Sequence, residues 1–419
     1  MPSSILPAAR LDPVVPDEPA AALRGKVLLV APQPFFVPRG TPINVLMLCR
    51  ALTRAGVDVD LLTGAGGEDI APLPGLSHER AAALPGTADL PVGFSVGKIV
   101  CNAALAAVAV RRLRAGRHDV VHAIEEAAFW AVPLGRALGR RTVMDLDSDL
   151  SGQLGTGAGA LARSLAGPAS AVRRRALRLA DVALSVAPAV TALVRREAPA
   201  TPVHEIPDVP MEEALRPTAP DAVAALRRRY GLETRRLAIY TGNFDRRQGV
   251  EVLVDAMTAV VRTIPDARLV LIGGEPATIE RLRARARERG VGDTVVCLGR
   301  QPLETMPEFM AMADVLVSPR LEPLVTPLKL FAYMASARPI VATDLPTHTN
   351  VLDARAAFLV PPTAEGLAHG IVAALRDPAD AKLRGRAARR LVDERYTFEA
   401  FADALLAAYR PLLEPSGGA

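Results

Sequence analysis

The sequence has little cysteine and few aromatic residues. Its 419 residues include three cysteines, Cys49, Cys101 and Cys297, and only 4% of them are Phe, Trp or Tyr. Cysteines so few and so far apart exclude a disulfide framework and show no zinc-ligand spacing, which fits a reducing compartment. The net charge is +5, but the arginines are scattered and are not interleaved with aromatic residues that stack on bases. We therefore expect neither a metal site nor a nucleic-acid partner.

The sequence also lacks a long hydrophobic run. The longest apolar segment, residues 99–110, is interrupted by Asn102 and is shorter than the roughly 20 apolar residues of a membrane-spanning helix. The Pro- and Ala-rich beginning of the chain does not have the basic-then-apolar order of a signal peptide. We predict a disordered leader over residues 1–24 and a cytoplasmic protein that is not integral to the membrane.

Half of the residues are hydrophobic, and many of them form short runs that alternate with helical patterns. The runs are continuously apolar, as strands buried on both faces of a parallel sheet require. Strand–helix alternation of this kind predicts a doubly wound α/β fold. The predicted strands are residues 27–30, 57–62, 120–123, 142–144, 182–186, 237–240, 269–272, 295–298, 315–317, 340–342 and 358–360.

The alternation stops in a segment rich in proline and acidic residues, residues 206–220, and restarts near Leu237. A domain boundary here gives an N-terminal domain of residues 25–208 and a C-terminal domain of residues 209–395, followed by residues 396–419. Two halves of similar size predict two Rossmann-like domains that face each other across a cleft. Ligands of such sheets bind at the carboxyl ends of the strands.

Each half contains a Thr-Pro pair that is typical of a helix start. In the first half, Thr41 is the predicted N-cap and Pro42 the first helical residue. Gly40 allows a ligand to approach the backbone, Arg39 adds a cation, and a free helix N-terminus attracts anions. An ordinary capped helix explains these residues equally well, and capping alone favours that interpretation.

In the second half, Thr326 and Pro327 are the predicted start of a helix that follows the strand at 315–317. Arg320 in the intervening loop and Lys329 in the first turn place cations beside this helix end. A diphosphate held between two such helix starts is physically sensible. A lysine exposed on a helix surface is the alternative interpretation of Lys329.

Two glycine turns in the second half also follow predicted strands. Gly242 and Asn243 come after the strand at 237–240, with Arg246 and Arg247 near enough in sequence to contact a phosphate. The next strand is followed by a second glycine pair, which fits contact with a ribose or a nucleobase; this pair is Gly273 and Gly274. Each turn alone is a weak signal, because many α/β proteins have one without a ligand.

In the first half, His122 ends one strand, and Asp145, Asp147 and Asp149 follow the next. Polar groups at strand ends bind sugar hydroxyls, and an Asp cluster also suits a divalent cation. The alternative for the Asp cluster is a polar turn, and for His122 a hydrogen-bonded histidine at a strand end. Sequence signatures of nucleophilic hydrolases and of phosphate-binding Walker loops are absent.

Together these segments resemble glycosyltransferase family 4, whose members are retaining enzymes of the GT-B fold. The resemblance extends from about Lys26 to the C-terminus and depends on the order and spacing of several motifs. They are residues 35–42, 119–123, 240–244, 248–249, 326–336 and 338–346.

The resemblance implies that the C-terminal half binds a nucleotide diphosphate-sugar as co-substrate and the N-terminal half binds a glycan or lipid-linked acceptor. It implies front-face transfer with retention, and a last helix that packs back on the N-terminal domain. No other cofactor is expected. The residues assigned to catalysis are His122, Arg320 and Lys329, and those assigned to the donor are Arg39, Gly40, Thr41, Gly242, Asn243, Arg246, Arg247, Gly273, Gly274, Glu322 and Thr326.

The sequence departs from the family pattern in the donor region. Ala332 stands where relatives carry an acidic residue that holds the donor ribose, and Glu322 lies at an altered spacing. Asn243 and Gln248 occupy positions that are Arg and Lys in many relatives. A catalytically inactive binding or scaffold protein is therefore one alternative, and a nucleotide-sugar epimerase of the same fold is another.

Two predicted helices, at residues 99–114 and 161–179, have arginine-rich edges. Each edge suits an anionic membrane surface. A buried Ala-rich helix with a solvated arginine end is the alternative, and it is slightly favoured.

Overall fold

The computed structural model describes residues 23–37, 40–83, 96–147, 160–322 and 325–414, and the side chains at 96–99 and 160–166 are not part of this description. Almost all of the predicted leader lies outside these ranges, as do Arg39, Asp149 and the last five residues. Within the described residues the chain forms two parallel sheets, one in each half.

The strands of the two sheets follow each other along the chain without intermixing. The first sheet has the order β3-β2-β1-β4-β5-β6-β7 and the second has the order β10-β9-β8-β11-β12-β13. The strands are β1 (Lys26–Pro34), β2 (Asp58–Gly64), β3 (Leu76–Arg80), β4 (Val120–Ile124), β5 (Arg141–Leu146), β6 (Val182–Ser185), β7 (Val203–Glu205), β8 (Arg236–Thr241), β9 (Ala267–Ile272), β10 (Val295–Gly299), β11 (Val315–Ser318), β12 (Ile340–Thr343) and β13 (Phe358–Val360).

Helices connect the strands and cover the sheets on both faces. They are α1 (Gly40–Arg54), α2 (Val96–Ala115), α3 (Ala128–Ala137), α4 (Ala160–Leu179), α5 (Pro188–Glu197), α6 (Pro220–Arg229), α7 (Val250–Thr263), α8 (Pro276–Glu288), α9 (Met306–Ala311), α10 (Leu328–Ala335), α11 (Pro346–Thr349), α12 (Ala364–Arg376), α13 (Pro378–Arg395) and α14 (Phe398–Leu413). Parallel neighbouring strands require such crossover connections.

The central strands are apolar throughout because each face of the sheet contacts a different core. In β1, Val27 and Leu29 pack into one cluster, whereas Leu28 and Val30 pack into the cluster on the opposite face. The strand β8 divides its side chains between two cores in the same way. Successive side chains of a strand point to opposite faces, so a strand covered on both sides has no polar face.

All eleven predicted strands are confirmed, together with the two-domain Rossmann-like fold. The structure adds two strands that the pattern did not predict, β3 and β7. Both are edge strands, and their sequences, Leu-Ser-His-Glu-Arg and Val-His-Glu, contain no apolar run. An edge strand is partly exposed, so it does not need the continuous apolar pattern.

The last helix, α14, packs against α1 of the N-terminal half. Its buried residues recur at helical spacing, so that Phe401, Leu405, Ala408 and Tyr409 join the core around β1. The preceding helix, α13, instead packs on α10 in the C-terminal half. The chain therefore passes between the halves twice, and the exact domain limits remain predictions.

Candidate functional site

In each sheet, the strand order reverses at one position, between β1 and β4 in the first and between β8 and β11 in the second. Helices leave neighbouring strands towards opposite faces at such a position, which opens a crevice at the carboxyl ends of the strands. In the second sheet these ends are followed by Gly242 and by Arg320. Gly242 and Arg320, two of the residues predicted for the site, thus lie at this reversal.

The two glycine turns of the C-terminal half pack directly on each other. Gly242 and Gly273 have φ angles of 131° and 113°, in the region that favours glycine. A Cβ on Gly273 would lie 2.1 Å from the carbonyl oxygen of Gly242, and a Cβ on Gly274 would lie 2.2 Å from the Phe244 ring. Side chains are excluded here by contact, so bare backbone lines this part of the site.

Lys329 extends from the first turn of α10 to the same glycine turn. Its Nζ donates hydrogen bonds to the Tyr240 hydroxyl at 2.7 Å and to the Gln248 Oε1 at 3.1 Å. The ammonium lies 3.9 Å from the centroid of the Tyr240 ring. A Cβ on Gly242 would be 2.7 Å from Nζ, so Gly242 and Lys329 border one shared space.

Arg320 follows β11 and is also largely enclosed. Its Nη1 donates to the carbonyl oxygen of Val325 at 2.5 Å and to the Thr347 Oγ1 at 3.2 Å. Its Nε is buried and has no hydrogen-bond partner among the residues that the structure describes. A buried donor without a partner is rare and costly, and it marks a place where a ligand oxygen would be favourable.

These two cations lack anionic partners within the described part of the chain. The hydrogen bonds of Arg320 and Lys329 there all go to neutral oxygens, and neither residue forms an ion pair. Burial, and after it the nearby Arg320 guanidinium, holds the pKa of Lys329 well below its usual value. Burial also lowers the pKa of Arg320. Both shifts express the cost of enclosing unpaired positive charge, which an anionic ligand removes.

A buried histidine supports this edge of the sheet without adding charge. His348 shares hydrogen bonds with the Ser318 hydroxyl at 2.8 Å and with the carbonyl oxygen of Thr343 at 2.8 Å. Burial, with a contribution from the cations of Arg320 and Lys329, lowers the pKa of His348 to about 4. His348 is therefore neutral at physiological pH and fixes the loop that carries Arg320.

The remaining predicted donor residues are more exposed. Asn243 and Arg246 are exposed, and Arg247 is held by an ion pair with Asp245 at 3.0 Å. Glu322 is exposed next to residues 323–324, which lie outside the description. The structure thus brings Gly242, Asn243, Gly273 and Gly274 together with Lys329, and leaves Arg246 and Glu322 at the surface.

The predicted helix caps were wrong in both halves. Pro327, not Thr326, is the N-cap of α10, and no side chain caps this helix. The helix α1 begins at Gly40, so Thr41 lies in its first turn and not at the cap. Thr41 instead lies close enough to Asp147 to lower the pKa of its carboxyl, against the larger effect of burial, and Thr326 is buried. Helix assignments differ by a residue or two at their ends, but these contacts do not depend on the boundary.

The predicted catalytic residue His122 is fully buried. Its Nδ1 is 2.6 Å from the Tyr409 hydroxyl and its Nε2 is 3.2 Å from Asp145 Oδ2. Both ring nitrogens are therefore occupied, and α14 covers the ring. The structure corrects the interpretation of His122 as a group open to the cleft and favours the hydrogen-bonded histidine.

The strand ends of the N-terminal half carry buried carboxyl groups whose pKa values are raised. Burial, followed by the charges of Asp145 and Asp208, raises the pKa of Asp147 well above its usual value. Burial and Asp145 raise the pKa of Asp208 to about 7. Asp147 accepts a hydrogen bond from Asn44 at 3.1 Å. In the described ranges no three potential ligand side chains are grouped to hold a metal ion.

The sequence did not predict several contacts that shape these edges. Tyr240, Gln248 and His348 form contacts between segments that are up to 89 residues apart, for which the sequence gives no signal. Glu125, at the end of β4, has a φ of 53°, which is uncommon for a residue other than glycine. Strained backbone at a strand end is typical of functional sites.

The loop before α10 connects the donor edge to the N-terminal half. Leu328 packs against the core around β1, and Val325 packs against the core on the other face of the same sheet. Arg50 of α1 also donates to Glu213, in the segment between the domains, at 3.2 Å. The edge that carries Arg320 and Lys329 therefore faces the N-terminal domain.

The arginine-rich helices are only partly available to a membrane. Arg111 and Arg112 of α2 pair with Glu79 of β3, and Arg173 of α4 is buried against Glu197. Arg174 and Arg175 remain exposed. Among the described helices, none has both the length and the apolar character needed to cross a bilayer.

Two family models match the chain, one in each half. Residues 39–208 match the model described as "Glycosyl transferase 4-like domain", and residues 235–377 match the model described as "Glycosyl transferases group 1". The two matched segments fall in the two sheets and together include both edges described above.

Individual proteins of known function or structure show the same similarity. The chain is 28% identical to an alpha-D-kanosaminyltransferase of Streptomyces kanamyceticus over 68% of this chain and 74% of that enzyme. It superposes on a sucrose-phosphate synthase from Thermosynechococcus elongatus with a TM-score of 0.75 and 25% identity, covering 93% of this chain and 99% of that one. An Anabaena protein, HepE, crystallised in complex with UDP-glucose, gives a TM-score of 0.70 at 15% identity. The superposition covers 91% of this chain and 98% of HepE.

Fold, site and comparisons define the class: the chain is a glycosyltransferase enzyme with two Rossmann-like domains in the GT-B arrangement. Within that class it belongs to glycosyltransferase family 4, as the matches in both halves show.

Proposed function

We propose that the enzyme transfers a sugar from a nucleotide diphosphate-sugar, with retention of configuration, to a glycan or lipid-linked acceptor. The donor lies at the β8/β11 edge and the acceptor against the N-terminal half. The observation that carries the proposal is the enclosed pair of cations, Arg320 and Lys329, whose contacts are neutral. A diphosphate supplies the missing negative charge, and HepE, a protein of the same fold, is known in complex with UDP-glucose.

In the proposed reaction, the bond between the anomeric carbon and the donor phosphate oxygen breaks as the acceptor oxygen attacks from the same face. The acceptor proton passes to an oxygen of the departing diphosphate. The residues at the β8/β11 edge stabilise the negative charge that builds up on this leaving group. Positioning and electrostatics carry the catalysis, since the proposed reaction needs no protein nucleophile.

The acceptor side of the proposal is supported by the polar groups at the N-terminal edge. Asp147, directly after β5, and Asn44, in α1, are at hydrogen-bond distance from each other. Carboxyl and amide groups of this kind bind sugar hydroxyls. The exposed Arg174 and Arg175 extend the proposal to acceptors at an anionic membrane surface inside the cell. Co-sedimentation with phosphatidylglycerol vesicles but not with phosphatidylcholine vesicles supports this extension, and equal recovery from both contradicts it.

A thermal-shift panel of UDP, GDP, ADP and dTDP tests the donor site. A ligand that binds only the folded state raises the melting temperature, and we expect this with at least one diphosphate. The shift disappears in Arg320→Ala and Lys329→Ala. Arg355→Ala is the matched control, because Arg355 is an exposed arginine of the same domain that pairs with Asp353. No shift in the parent protein, or equal shifts in parent and site variants, contradicts the proposal.

Product analysis separates transfer from the alternatives. The enzyme is incubated with cell-wall or lipid extracts and with sugar donors that contain the nucleotide found to bind. We expect release of the nucleoside diphosphate and transfer of the labelled sugar to an acceptor. Conversion of the sugar while it stays on the nucleotide indicates an epimerase instead. Binding without any turnover indicates an inactive binding protein, the alternative that Ala332 suggests.

A further inference from the structure

The Lys329 ammonium is fixed by two neutral side chains that have no assigned role. The Tyr240 hydroxyl oxygen accepts from Nζ at 2.7 Å, and the Gln248 Oε1 accepts at 3.1 Å. Lysine side chains normally keep their ammonium in water at the end of a mobile four-carbon stem. Here the stem is folded onto a glycine turn, so the position of the charge is determined by these two partners.

The hydrogen-bond directions show that the Tyr240 oxygen is free to accept. Tyr240 donates its own proton to the carbonyl oxygen of Asn243 at 2.6 Å. The Gln248 Oε1 is a second, longer acceptor of this hydroxyl at 3.3 Å. With its proton directed to these acceptors, the hydroxyl oxygen accepts the hydrogen bond from Lys329. The chain of donors runs from Lys329 through Tyr240 to the backbone of the turn, and this polarises each bond in the same direction.

The third side of the ammonium is bare backbone. A Cβ on Gly242 would lie 2.7 Å from Nζ and 3.4 Å from the Tyr240 hydroxyl. The ammonium thus lies beside an exposed turn, at the same sheet edge as the buried Nε of Arg320, which has no hydrogen-bond partner in the described part of the chain.

We propose that Tyr240 and Gln248 are positioning residues that hold the Lys329 ammonium beside Gly242, so that a diphosphate meets a cation already oriented towards it. This inference rests on the proposed function of the same site. A preoriented cation does not have to give up side-chain freedom when the ligand binds, which increases affinity and assists the charge development of the reaction.

Among the groups around it, Lys329 is the one that we expect to lose a proton between pH 6 and pH 10. Burial and Arg320 lower the pKa of Lys329, whereas burial raises the pKa of Tyr240 well above its usual value. The pKa of His348 is about 4, so His348 stays neutral. The other charged groups near this edge are Arg320, Asp245, Arg247 and Glu322. Two more lie against α10, and both have partners of their own: Arg389 donates a hydrogen bond to the carbonyl oxygen of Ala335, and Glu213 pairs with Arg50.

The experiment is isothermal titration calorimetry between pH 6 and pH 10 with the diphosphate that binds best among UDP, GDP, ADP and dTDP. In the parent protein we expect affinity to fall at alkaline pH, as Lys329 loses its proton, and proton uptake on binding in that range. Lys329→Arg keeps its charge at every pH used, so the alkaline fall disappears.

Tyr240→Phe removes the nearer of the two acceptors of the ammonium and keeps the ring. We expect about tenfold weaker binding at pH 7, the size of effect typical of a lost hydrogen bond to a charged group. Because the hydroxyl oxygen stabilises the protonated form of Lys329, its removal also moves the pH at which the diphosphate affinity falls to a lower value. Gln248→Ala shifts the profile in the same direction by a smaller amount.

Tyr333→Phe is the matched control. Tyr333 is another buried tyrosine of this domain, and its hydroxyl bonds Thr241 and not Lys329. We expect it to lower the melting temperature while the alkaline fall stays at the parent pH. Melting temperatures of all variants separate loss of folding from loss of binding.

The outcomes distinguish the two claims. If no diphosphate binds the parent protein, the proposed function is refuted and the positioning role with it. A second outcome is that the parent protein binds a diphosphate and Lys329→Arg removes the loss of affinity at alkaline pH, but Tyr240→Phe and Gln248→Ala keep the parent's affinity and its dependence on pH. This outcome refutes only the positioning role. A change in melting temperature alone, without a shifted profile, also refutes it.

Discussion

The two halves place different ionisable groups at the carboxyl ends of their sheets. At the β8/β11 reversal, Arg320 and Lys329 are enclosed by neutral oxygens, whereas at the acidic edge of the first sheet, after β5 and β7, Asp147 and Asp208 are enclosed with raised pKa values. The Rossmann-like fold supplies a crevice in both cases but does not determine what binds there. The side chains at the strand ends do: the cationic edge suits a diphosphate, and the acidic, amide-bearing edge suits hydroxyl groups.

Reversing the sign of the cationic edge gives the largest expected effect. Arg320→Glu replaces an enclosed guanidinium with a carboxylate, so that both edges become acidic. We expect diphosphate affinity to fall by about 10³-fold or more, since an attraction is exchanged for a repulsion at a poorly solvated position. Calorimetry on the variant and on the exposed control Arg355→Glu measures this. Affinity within threefold of the parent would show that the diphosphate does not meet Arg320.

The next effect tests whether the cationic edge requires bare backbone. Gly273→Ala places a Cβ 2.1 Å from a backbone oxygen at a φ of 113°, and we expect the free energy of unfolding to fall by about 2–4 kcal/mol. Gly40→Ala at the other edge meets nothing within 4 Å and is expected to be nearly neutral.

Gly290→Ala, with a φ of 70° and open space around it, isolates the cost of strain without a clash. Urea unfolding of the three variants checks the expected order. Equal destabilisation by Gly273→Ala and Gly290→Ala would contradict the close packing of the two glycine turns.

Asp208→Asn relieves charge on the acidic edge. The pKa of Asp208 is raised to about 7 in the folded protein from a usual value near 3.8, so folding takes up a proton between these pH values. Asp208 therefore destabilises the fold increasingly as the pH rises from about 3.8 to about 7, and the full cost is present above about pH 7. We expect the variant to gain roughly 1–2 kcal/mol at pH 8 and nothing at pH 4. A gain that is the same at both pH values would contradict the raised pKa.

Tyr409→Phe gives the smallest expected effect and tests the role of His122. The change removes the hydrogen bond between α14 and β4 at 2.6 Å, and we expect a loss of about 1 kcal/mol in the free energy of unfolding. Diphosphate affinity and donor turnover, corrected for the folded fraction, should stay at parent levels. A large fall in turnover with an unchanged melting temperature would instead make His122 part of the catalytic machinery.

The sequence predicted the sheets well because central strands carry a strong signal. The runs at 27–30 and 237–240 are apolar since both faces are covered, whereas the polar edge strand β3 has no comparable pattern. The helix caps were wrong because a Thr-Pro pair identifies a helix start only within a residue or two. The contact of Thr41 with Asp147 depends on tertiary packing.

The candidate site was only partly predictable for the same reason. Lys329, Arg320 and Gly242 were identified by residue type and by position after strands. The hydrogen bond that joins Lys329 to Tyr240 links residues 89 positions apart, and no local pattern encodes it. His122 lies at a strand end, where residue type fits a cleft ligand and a buried histidine equally, and only the packing of α14 decides between them.

The most direct test of the central claim is a crystal structure of the protein with a bound nucleoside diphosphate. We predict that phosphate oxygens lie within hydrogen-bond distance of Arg320 Nε and Lys329 Nζ, next to the backbone of Gly242. A diphosphate bound at the acidic edge, or one at the β8/β11 edge that leaves both cations with only their neutral partners, would contradict the account.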